Sequence, residues 1–258
     1  MTNQDPRQPD RFEASPPSGP TNPTQWSAPN TLASQAVPVT GAIAGTREGF
    51  LTLSFVWMFL GLLLSAGTAV VVLNNPQVQD VVYNSLFLLL MAELGFVFVV
   101  SLAINRLGAL PALALFFVYA LLNGATLSII ALAYTEASIT AAFLGASGVF
   151  GAAALYGVVT RRDLTSLGGL LFVGLIGLLV MMVVNIFIGG STMSYIIGII
   201  GVLLFTGLTA YDVQRIRNGK LSWIKNRESA SVIGALQLYL DFINLFLMFL
   251  RITGGSRA

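Results

Sequence analysis

Long apolar stretches recur along most of the chain and are separated by short polar breaks. The apolar spans fall near residues 50–73, 84–104, 110–133, 138–159, 166–188, 193–216 and 231–251. An α-helix needs about 20 apolar residues, rising about 1.5 Å each, to cross roughly 30 Å of hydrocarbon, and the spans have about this length. The pattern therefore predicts an all-α, polytopic membrane protein with a bundle of seven transmembrane helices.

The first part of the chain has a different composition. Residues 1–45 hold eight of the ten prolines together with many Ser, Thr, Asn and Gln, and they contain no long apolar stretch. Such a segment buries too little apolar surface to offset the entropy lost on folding. The sequence thus predicts two regions, a disordered, Pro-rich cytoplasmic tail at 1–45 and a seven-helix transmembrane domain at 46–258.

Positive charge is distributed unevenly between the loops. Eleven of the thirteen Lys and Arg residues precede the first span or lie around the connections after spans 2, 4 and 6, whereas the loops after spans 1, 3 and 5 contain none. Loops that remain in the cytoplasm accumulate Lys and Arg. We therefore expect a multi-pass protein of a bacterial cytoplasmic membrane, with a cytoplasmic N-terminus and an external C-terminus. The positive charge is thus explained by the orientation of the helices in the membrane. The lipid bilayer is an expected partner, and no nucleic-acid partner is expected.

Composition narrows the chemistry that the chain can perform. Of its residues, 55% are hydrophobic and 9% are charged, and it has no cysteine and no histidine. Disulfides, thiolate nucleophiles, histidine-based catalysis and ordinary zinc or copper sites are therefore excluded. Oxygen is the ligand atom that remains, so a bound metal should be Ca²⁺, Mg²⁺ or Mn²⁺, and no obligatory cofactor is expected.

Three acidic residues lie inside apolar spans, where an ionised carboxylate costs several kcal/mol: Glu93, Asp212 and Asp241. Asp212 and Asp241 belong to consecutive spans, at roughly 12 and 15 Å from the connecting turn if both helices are continuous, so they can meet. Two carboxylates in contact cannot both ionise cheaply in a low dielectric. The pair is therefore predicted to bind protons and a divalent cation in competition, as a pH sensor and metal site.

Further polar residues at membrane depth are candidates for a pore or gate. Gln237 and Asn244 lie four residues before and three residues after Asp241, on the same helical face. Asn123 in span 3 and Glu93 in span 2 are further candidates. Hydrogen bonds between helices are the alternative explanation for the neutral residues. Arg215, three residues after Asp212, is a structural partner that would explain that carboxylate without a function.

Four segments of the chain carry a family resemblance. They are YALLNGATLS at 119–128, TRRDLTSLG at 160–168, LTAYDVQRI at 208–216 and GALQLYLDFINLF at 234–246. In them the chain resembles bacterial members of the Bax inhibitor-1 family, also called the transmembrane Bax inhibitor motif family. The resemblance implies seven helices with helix 7 central and a pH-sensitive calcium leak governed by Asp212 and Asp241. It also implies an acidic residue at Glu93 and a basic latch for the helix-6 aspartate, for which Arg106 is the nearest candidate.

Functions other than a pH-sensitive calcium leak remain open. One is a membrane-embedded regulator of a membrane protease or stress response, with that protease as its partner. Another is an intramembrane aspartyl protease, since Tyr211 and Asp212 resemble its Tyr-Asp motif. Asp241, however, follows Leu-Tyr-Leu instead of the Gly-x-Gly of that class, so no enzyme is expected. A proton-coupled exchanger would fit the buried acids, but no inverted repeat is evident.

Overall fold

The computed structural model describes residues 47–103, 108–221 and 227–254, which are almost entirely helical. The helices are α1 (Arg47–Leu73), α2 (Pro76–Asn84), α3 (Leu86–Ala103), α4 (Ala109–Leu132), α5 (Glu136–Val159), α6 (Gly168–Ile188), α7 (Ser191–Arg217) and α8 (Arg227–Thr253), with a 3₁₀ turn at Leu164–Leu167 before α6. Among these described residues, six helices are long and apolar enough to cross a membrane, and α2 with α3 makes a seventh candidate. The predicted all-α, multi-pass membrane protein is confirmed. The predicted tail and Arg106 lie outside the described residues.

The second span differs from its prediction as one helix over 84–104. It is a pair of helices, α2 and α3, bent by 69° at Ser85. The prediction of a loop over 74–83 is wrong, because most of that stretch forms α2. Asn75 caps α2 by accepting a hydrogen bond from the Val78 amide at 3.3 Å, and Pro76 stands at the start of the helix, where its missing N–H is not needed.

Helix α8 lies at the centre of the bundle. It packs against α1, α4, α5 and α7, whereas α3 packs mainly on α4 and α6 mainly on α7. Within the apolar window of α8, 67% of residues are buried, against 6% for the span that contains α6. The predicted central position of the last helix is confirmed, although four helices and not six make its main contacts. Most residues of α8 are therefore surrounded by protein, so their polar groups must find partners within the bundle.

Small residues set the closest helix contacts. A Cβ atom added to Gly157 of α5 would lie 2.5 Å from the carbonyl oxygen of Ala210 on α7. One added to Gly234 of α8 would lie 2.6 Å from the hydroxyl of Ser54 on α1. A larger residue at position 157 would meet backbone, and one at position 234 would displace the Ser54 hydroxyl; such close approaches at glycine are typical of helix packing in membranes. They bring α7 and α8 close to their neighbours at the end of the bundle where α7 stops and α8 begins, called here the inner end after the orientation predicted from the sequence.

Candidate functional site

The aspartate pair, Asp212 on α7 and Asp241 on α8, is buried, with exposed fractions of 9% and 6%. Glycine contacts give the register of these antiparallel helices. A Cβ at Gly234 would lie 3.3 Å from Ile216, which sets these two residues level. Counting from there, Asp212 is level with residues near 238, and Asp241 lies about one helical turn, roughly 5 Å, further from the inner end. The structure thus brings together the two carboxylates singled out in the sequence.

The aspartates act on each other electrostatically. The charge of Asp212 repels that of Asp241, and Arg215 attracts Asp212 from one turn along α7. Within the described part of the chain, the one salt bridge joins Lys220 and Asp163 at 3.2 Å, at the inner surface. Neither buried aspartate is therefore neutralised by a salt bridge within that part of the chain. The ion pair between Arg215 and Asp212, considered from the sequence as an alternative to a function, is not formed, and Arg215 acts on Asp212 only by a longer-range attraction.

Oxygen atoms without hydrogen-bond donors mark the same face of α8. Among the described residues, three buried side-chain oxygens have no partner: Asp241 Oδ2, Gln237 Oε1 and Asn185 Oδ1. Two of the three lie on the Gln237–Asp241 face. Leaving a buried acceptor unpaired costs about 1–3 kcal/mol, so such atoms call for a proton, a water or a cation. A group of acceptors with no donor is the arrangement that suits a cation.

The pair has the chemistry of a weak cation site. No group of three or more Asp, Glu, His or Cys side chains that could hold a metal lies within the described residues. The ligands available to a cation at the aspartate pair are therefore the two carboxylates and the Gln237 side-chain oxygen. Uncharged oxygens, including those of water, would have to supply the rest. Calcium accepts such hard ligands but takes about 6–8 of them when bound tightly. The residues fit an ion that passes or rests briefly better than one that is stored.

A cavity of about 440 Å³ lies at the opposite, outer end of the bundle. Asn244, Met248 and Arg251 of α8 line it together with residues of the α4 end and α6. Asn244 follows Asp241 by three residues and thus shares its face. Its amide donates to the Leu240 carbonyl at 2.8 Å. The face that carries the aspartate therefore continues outward into this outer cavity, with Arg251 near its mouth.

Glu93 belongs to a second polar cluster, called here the Glu93 network. Its carboxylate accepts hydrogen bonds from Thr126 Oγ1 at 2.6 Å and from Asn123 Nδ2 at 3.4 Å. The Asn123 carbonyl oxygen accepts from the Tyr239 hydroxyl at 3.0 Å, and that hydroxyl lies 2.7 Å from Ser65 Oγ. The network joins α3, α4, α8 and α1, and each of its polar side chains has a partner.

The two clusters lie on different faces of α8. Tyr239 and Asp241 are two residues apart, which is about 200° around a helix. The structure therefore separates Glu93 and Asn123 from the aspartate pair, although the sequence grouped all of them as candidates for one path. Tyr239 and Ser65 were missed, because single hydroxyl groups in apolar spans carry no signal of a network. Arg106 lies outside the described residues, so its role as a latch stays a prediction.

The sequence model of the family described as inhibitor of apoptosis-promoting Bax1 matches residues 47–258. The chain belongs to this family. The match covers every described helix and both aspartates, and the resemblance inferred from four short segments is confirmed. The family's name describes a cellular effect and assigns no role to the aspartate pair.

Relatives in the family come from distant bacteria. The inner membrane protein YbhL of Escherichia coli strain K12 is 41% identical over 231 residues, which cover 85% of this chain and 98% of the relative. An uncharacterized protein of Deinococcus radiodurans is 44% identical over 210 residues, 81% of this chain and 90% of the relative. An uncharacterized membrane protein of Streptococcus pyogenes serotype M3 is 45% identical over 170 residues, 64% of this chain and 72% of the relative.

Proposed function

We propose that this family member is a pH-sensitive cation leak, with calcium as its ion, gated by Asp212 and Asp241. The observation that carries the proposal is the buried aspartate pair on neighbouring helices, flanked by donor-free oxygens of Asp241 and Gln237. The protein lies in a bacterial cytoplasmic membrane with its N-terminus inside, an orientation supported by the Lys and Arg distribution. The inner-membrane location given for the relative YbhL is in keeping with it.

Protons and cations compete at the pair in this proposal. When the two aspartates share a proton, a hydrogen bond replaces their repulsion and holds α7 to α8. Loss of the proton leaves two like charges in a low dielectric, and their repulsion falls when the helices separate or a divalent cation enters. Raising the pH should therefore increase flux, and the shared proton sets the closed state.

The ion path runs along one face of α8. From the outer cavity, an ion passes Asn244, reaches Asp241, and continues by Gln237 to Asp212 near the inner end. Oxygen ligands along this face favour hard cations. Because the site offers two carboxylates and not a complete set of protein ligands, the ion can leave again. The protein has no proposed covalent reaction, since the sequence before Asp241 departs from that of intramembrane aspartyl proteases.

Calcium flux into proteoliposomes tests the proposal. The purified protein is reconstituted and flux is followed between about pH 6 and 8 for the wild type, Asp212→Asn and Asp241→Asn. The matched control is Asp80→Asn, which neutralises an exposed carboxylate on α2. Wild-type and control flux should rise with pH, whereas both asparagine variants should lose this dependence because they cannot release the shared proton.

Two outcomes of that experiment would overturn the proposal. Flux that stays equal to that of empty liposomes at every pH would refute the leak and favour the alternative of a membrane-embedded regulator. Wild-type flux that depends on pH, but equally so in both asparagine variants, would leave a leak and refute the aspartate gate. A transmembrane peptide that is cleaved by wild type but not by either variant would instead establish a protease.

A further inference from the structure

The segment TRRDLTSLG, noted in the sequence and unused by the ion path, forms one wall of a basic pocket at the inner end. The inner basic pocket has a volume of about 420 Å³ and lies between the end of α5, the 3₁₀ turn and the end of α7. Its lining includes four cationic side chains and one carboxylate: Arg161, Arg162, Arg217, Lys220 and Asp163. The pocket is therefore suited to an anion.

A buried side chain holds the wall of this pocket in place. Gln214 of α7 is 5% exposed. Its amide nitrogen donates to the Arg162 carbonyl at 2.7 Å, and its oxygen accepts from the Leu164 amide at 2.8 Å. Arg217 donates to the Val158 carbonyl at the end of α5. These bonds tie the loop that carries Arg161 and Arg162 to α7, so the backbone from which both arginine side chains extend is held by the fold.

The carboxylate in the pocket is already engaged. Asp163 accepts hydrogen bonds from Thr165 and Lys220, and these bonds hold its pKa at about 2, below the usual 3.8. It remains ionised and neutralises Lys220 at 3.2 Å. Within the described part of the chain, by contrast, the guanidinium groups of Arg161 and Arg162 have no hydrogen bond or ion pair. Arginine presents paired N–H groups that match phosphate oxygens, so these two are free to bind one.

Exposed apolar side chains lie on the two helices that the pocket's loop connects, α5 and α6. Leu155 and Val159 on the last turns of α5 are 64% and 68% exposed, and Leu170 near the start of α6 is 71% exposed. These residues end two membrane spans and therefore face acyl chains just below the headgroup level. A free phosphate ion would make no use of this surface, whereas a phospholipid would contact both parts.

We propose that the inner basic pocket binds a phosphate group, and that its source is the headgroup of an anionic phospholipid whose acyl chains lie on the α5 and α6 surface. Arg161 and Arg162 contact the phosphate, and Arg217 adds positive charge, whereas the charge of Lys220 is already balanced by Asp163. Basic pockets between transmembrane helices on the cytoplasmic side commonly take such headgroups. The proposal does not rest on ion flux, since none of these residues belongs to the aspartate pair.

Lipid binding to the purified protein tests the proposal. Retention of phosphatidylglycerol and of zwitterionic phosphatidylcholine is compared by native mass spectrometry, for the wild type and for the double variant Arg161→Gln/Arg162→Gln. The wild type should retain phosphatidylglycerol preferentially, and each arginine lost should weaken retention about fivefold. The control Arg161→Lys/Arg162→Lys keeps the charge and should retain most of the preference. Circular dichroism and a thermal melt report whether the variants fold.

Further measurements distinguish a lipid phosphate from a free phosphate ion and define the results that would overturn the proposal. If about 1 mM inorganic phosphate displaces phosphatidylglycerol from folded wild-type protein, a soluble anion is the ligand and the lipid assignment is overturned. Equal retention of the two lipids, or an unchanged preference in a folded glutamine variant, also overturns it. If the glutamine variant does not fold, the lysine variant and the salt dependence of wild-type retention decide, because a charge-driven preference should fall as salt rises.

Discussion

Two glycines on α5 allow the packing reasoning to be tested by a matched pair of substitutions. A Cβ added to Gly157 would lie 2.5 Å from the Ala210 carbonyl oxygen and 3.1 Å from Val213 Cβ, both on α7. A Cβ added to Gly148 would have no atom within 4 Å, because this residue faces out of the bundle. Alanine at position 157 must therefore push α5 and α7 apart, whereas alanine at position 148 meets no protein atom.

The magnitude follows from two opposing effects. Alanine is favoured over glycine in a helix interior by about 1 kcal/mol, and this gain is common to both sites. Overpacking a close contact costs about 1–3 kcal/mol, and this loss applies to Gly157→Ala alone. We expect the free energies of unfolding of the two variants to differ by about 1–3 kcal/mol, with Gly148→Ala the more stable.

Unfolding by sodium dodecyl sulfate in mixed micelles, followed by circular dichroism, measures this difference. Both variants are titrated beside the wild type in the same lipid and detergent. Gly148→Ala should unfold at the same or a higher detergent fraction than the wild type, and Gly157→Ala at a lower one than Gly148→Ala. Equal midpoints for the two variants would refute the α5–α7 contact, and with it the placement of Ala210 and Val213 against α5.

Three further predictions concern single groups and the topology. Tyr239→Phe should lower stability by about 1 kcal/mol in the same titration, because Asn123 Oδ1 loses its donor. Asp163 has a folded pKa of about 2 against the usual 3.8, so its stabilisation is fully present above the higher value and is lost as the pH falls toward the lower one. The stability difference between wild type and Asp163→Asn should therefore be constant from about pH 5 to 8 and shrink below about pH 4, as thermal melts would show. Alkaline phosphatase fused after the last helix should be active outside the cell, and its activity there in an N-terminal fusion would contradict the positive-inside assignment.

Hydropathy was sufficient to predict most of the fold. The bounds of α4, α5 and α7 differ from the predicted spans by only a few residues, because apolar length is a direct requirement of crossing the bilayer. Hydropathy does not indicate α2, because its sequence PQVQDVVYN is too polar to count as part of a span. A local signal is present in Asn75, an N-cap residue, and Pro76, a first-turn proline. These residues indicate where a helix begins, but not that its axis is bent away from that of the next helix.

The candidate site was predictable only in its charged members. Asp212 and Asp241 are visible in the sequence because a carboxylate in an apolar span is costly, and consecutive spans pack side by side. Glu93 was visible for the same reason, but its partners decide its role: it accepts hydrogen bonds from two residues of α4, and one of these, Asn123, connects it to α8 and α1. Ser65 could not be assigned to it, since a serine hydroxyl also bonds to its own helix, as Ser65 does to the Gly61 carbonyl. Tyr239 could not be assigned either, since the sequence does not show which helix its hydroxyl reaches. The face on which each residue points was decided by packing around α8.

The contrast between the two faces of α8 predicts which part of the bundle moves. The Glu93 network is fully bonded and ties α8 to α1, α3 and α4, and breaking it would leave buried groups unpaired at about 1–3 kcal/mol each. The aspartate face has donor-free oxygens and two repelling carboxylates, and no salt bridge among the described residues opposes a change there. A change of protonation should therefore displace α7 while α8 stays with α1 and α4.

Spin labels can measure this displacement, because the chain has no cysteine of its own. Leu203 of α7, Val118 of α4 and Val56 of α1 are exposed on the bundle surface and can each be replaced by a labelled cysteine. Between pH 6 and 8 the distance from 203 to 118 should change, whereas the distance from 56 to 118 should not, and Asp212→Asn should abolish the change. If both distances change together, the Glu93 network does not hold the frame. If neither changes while flux responds to pH, the proton acts at the aspartate pair without moving α7, and the bonding contrast across α8 does not govern the gate.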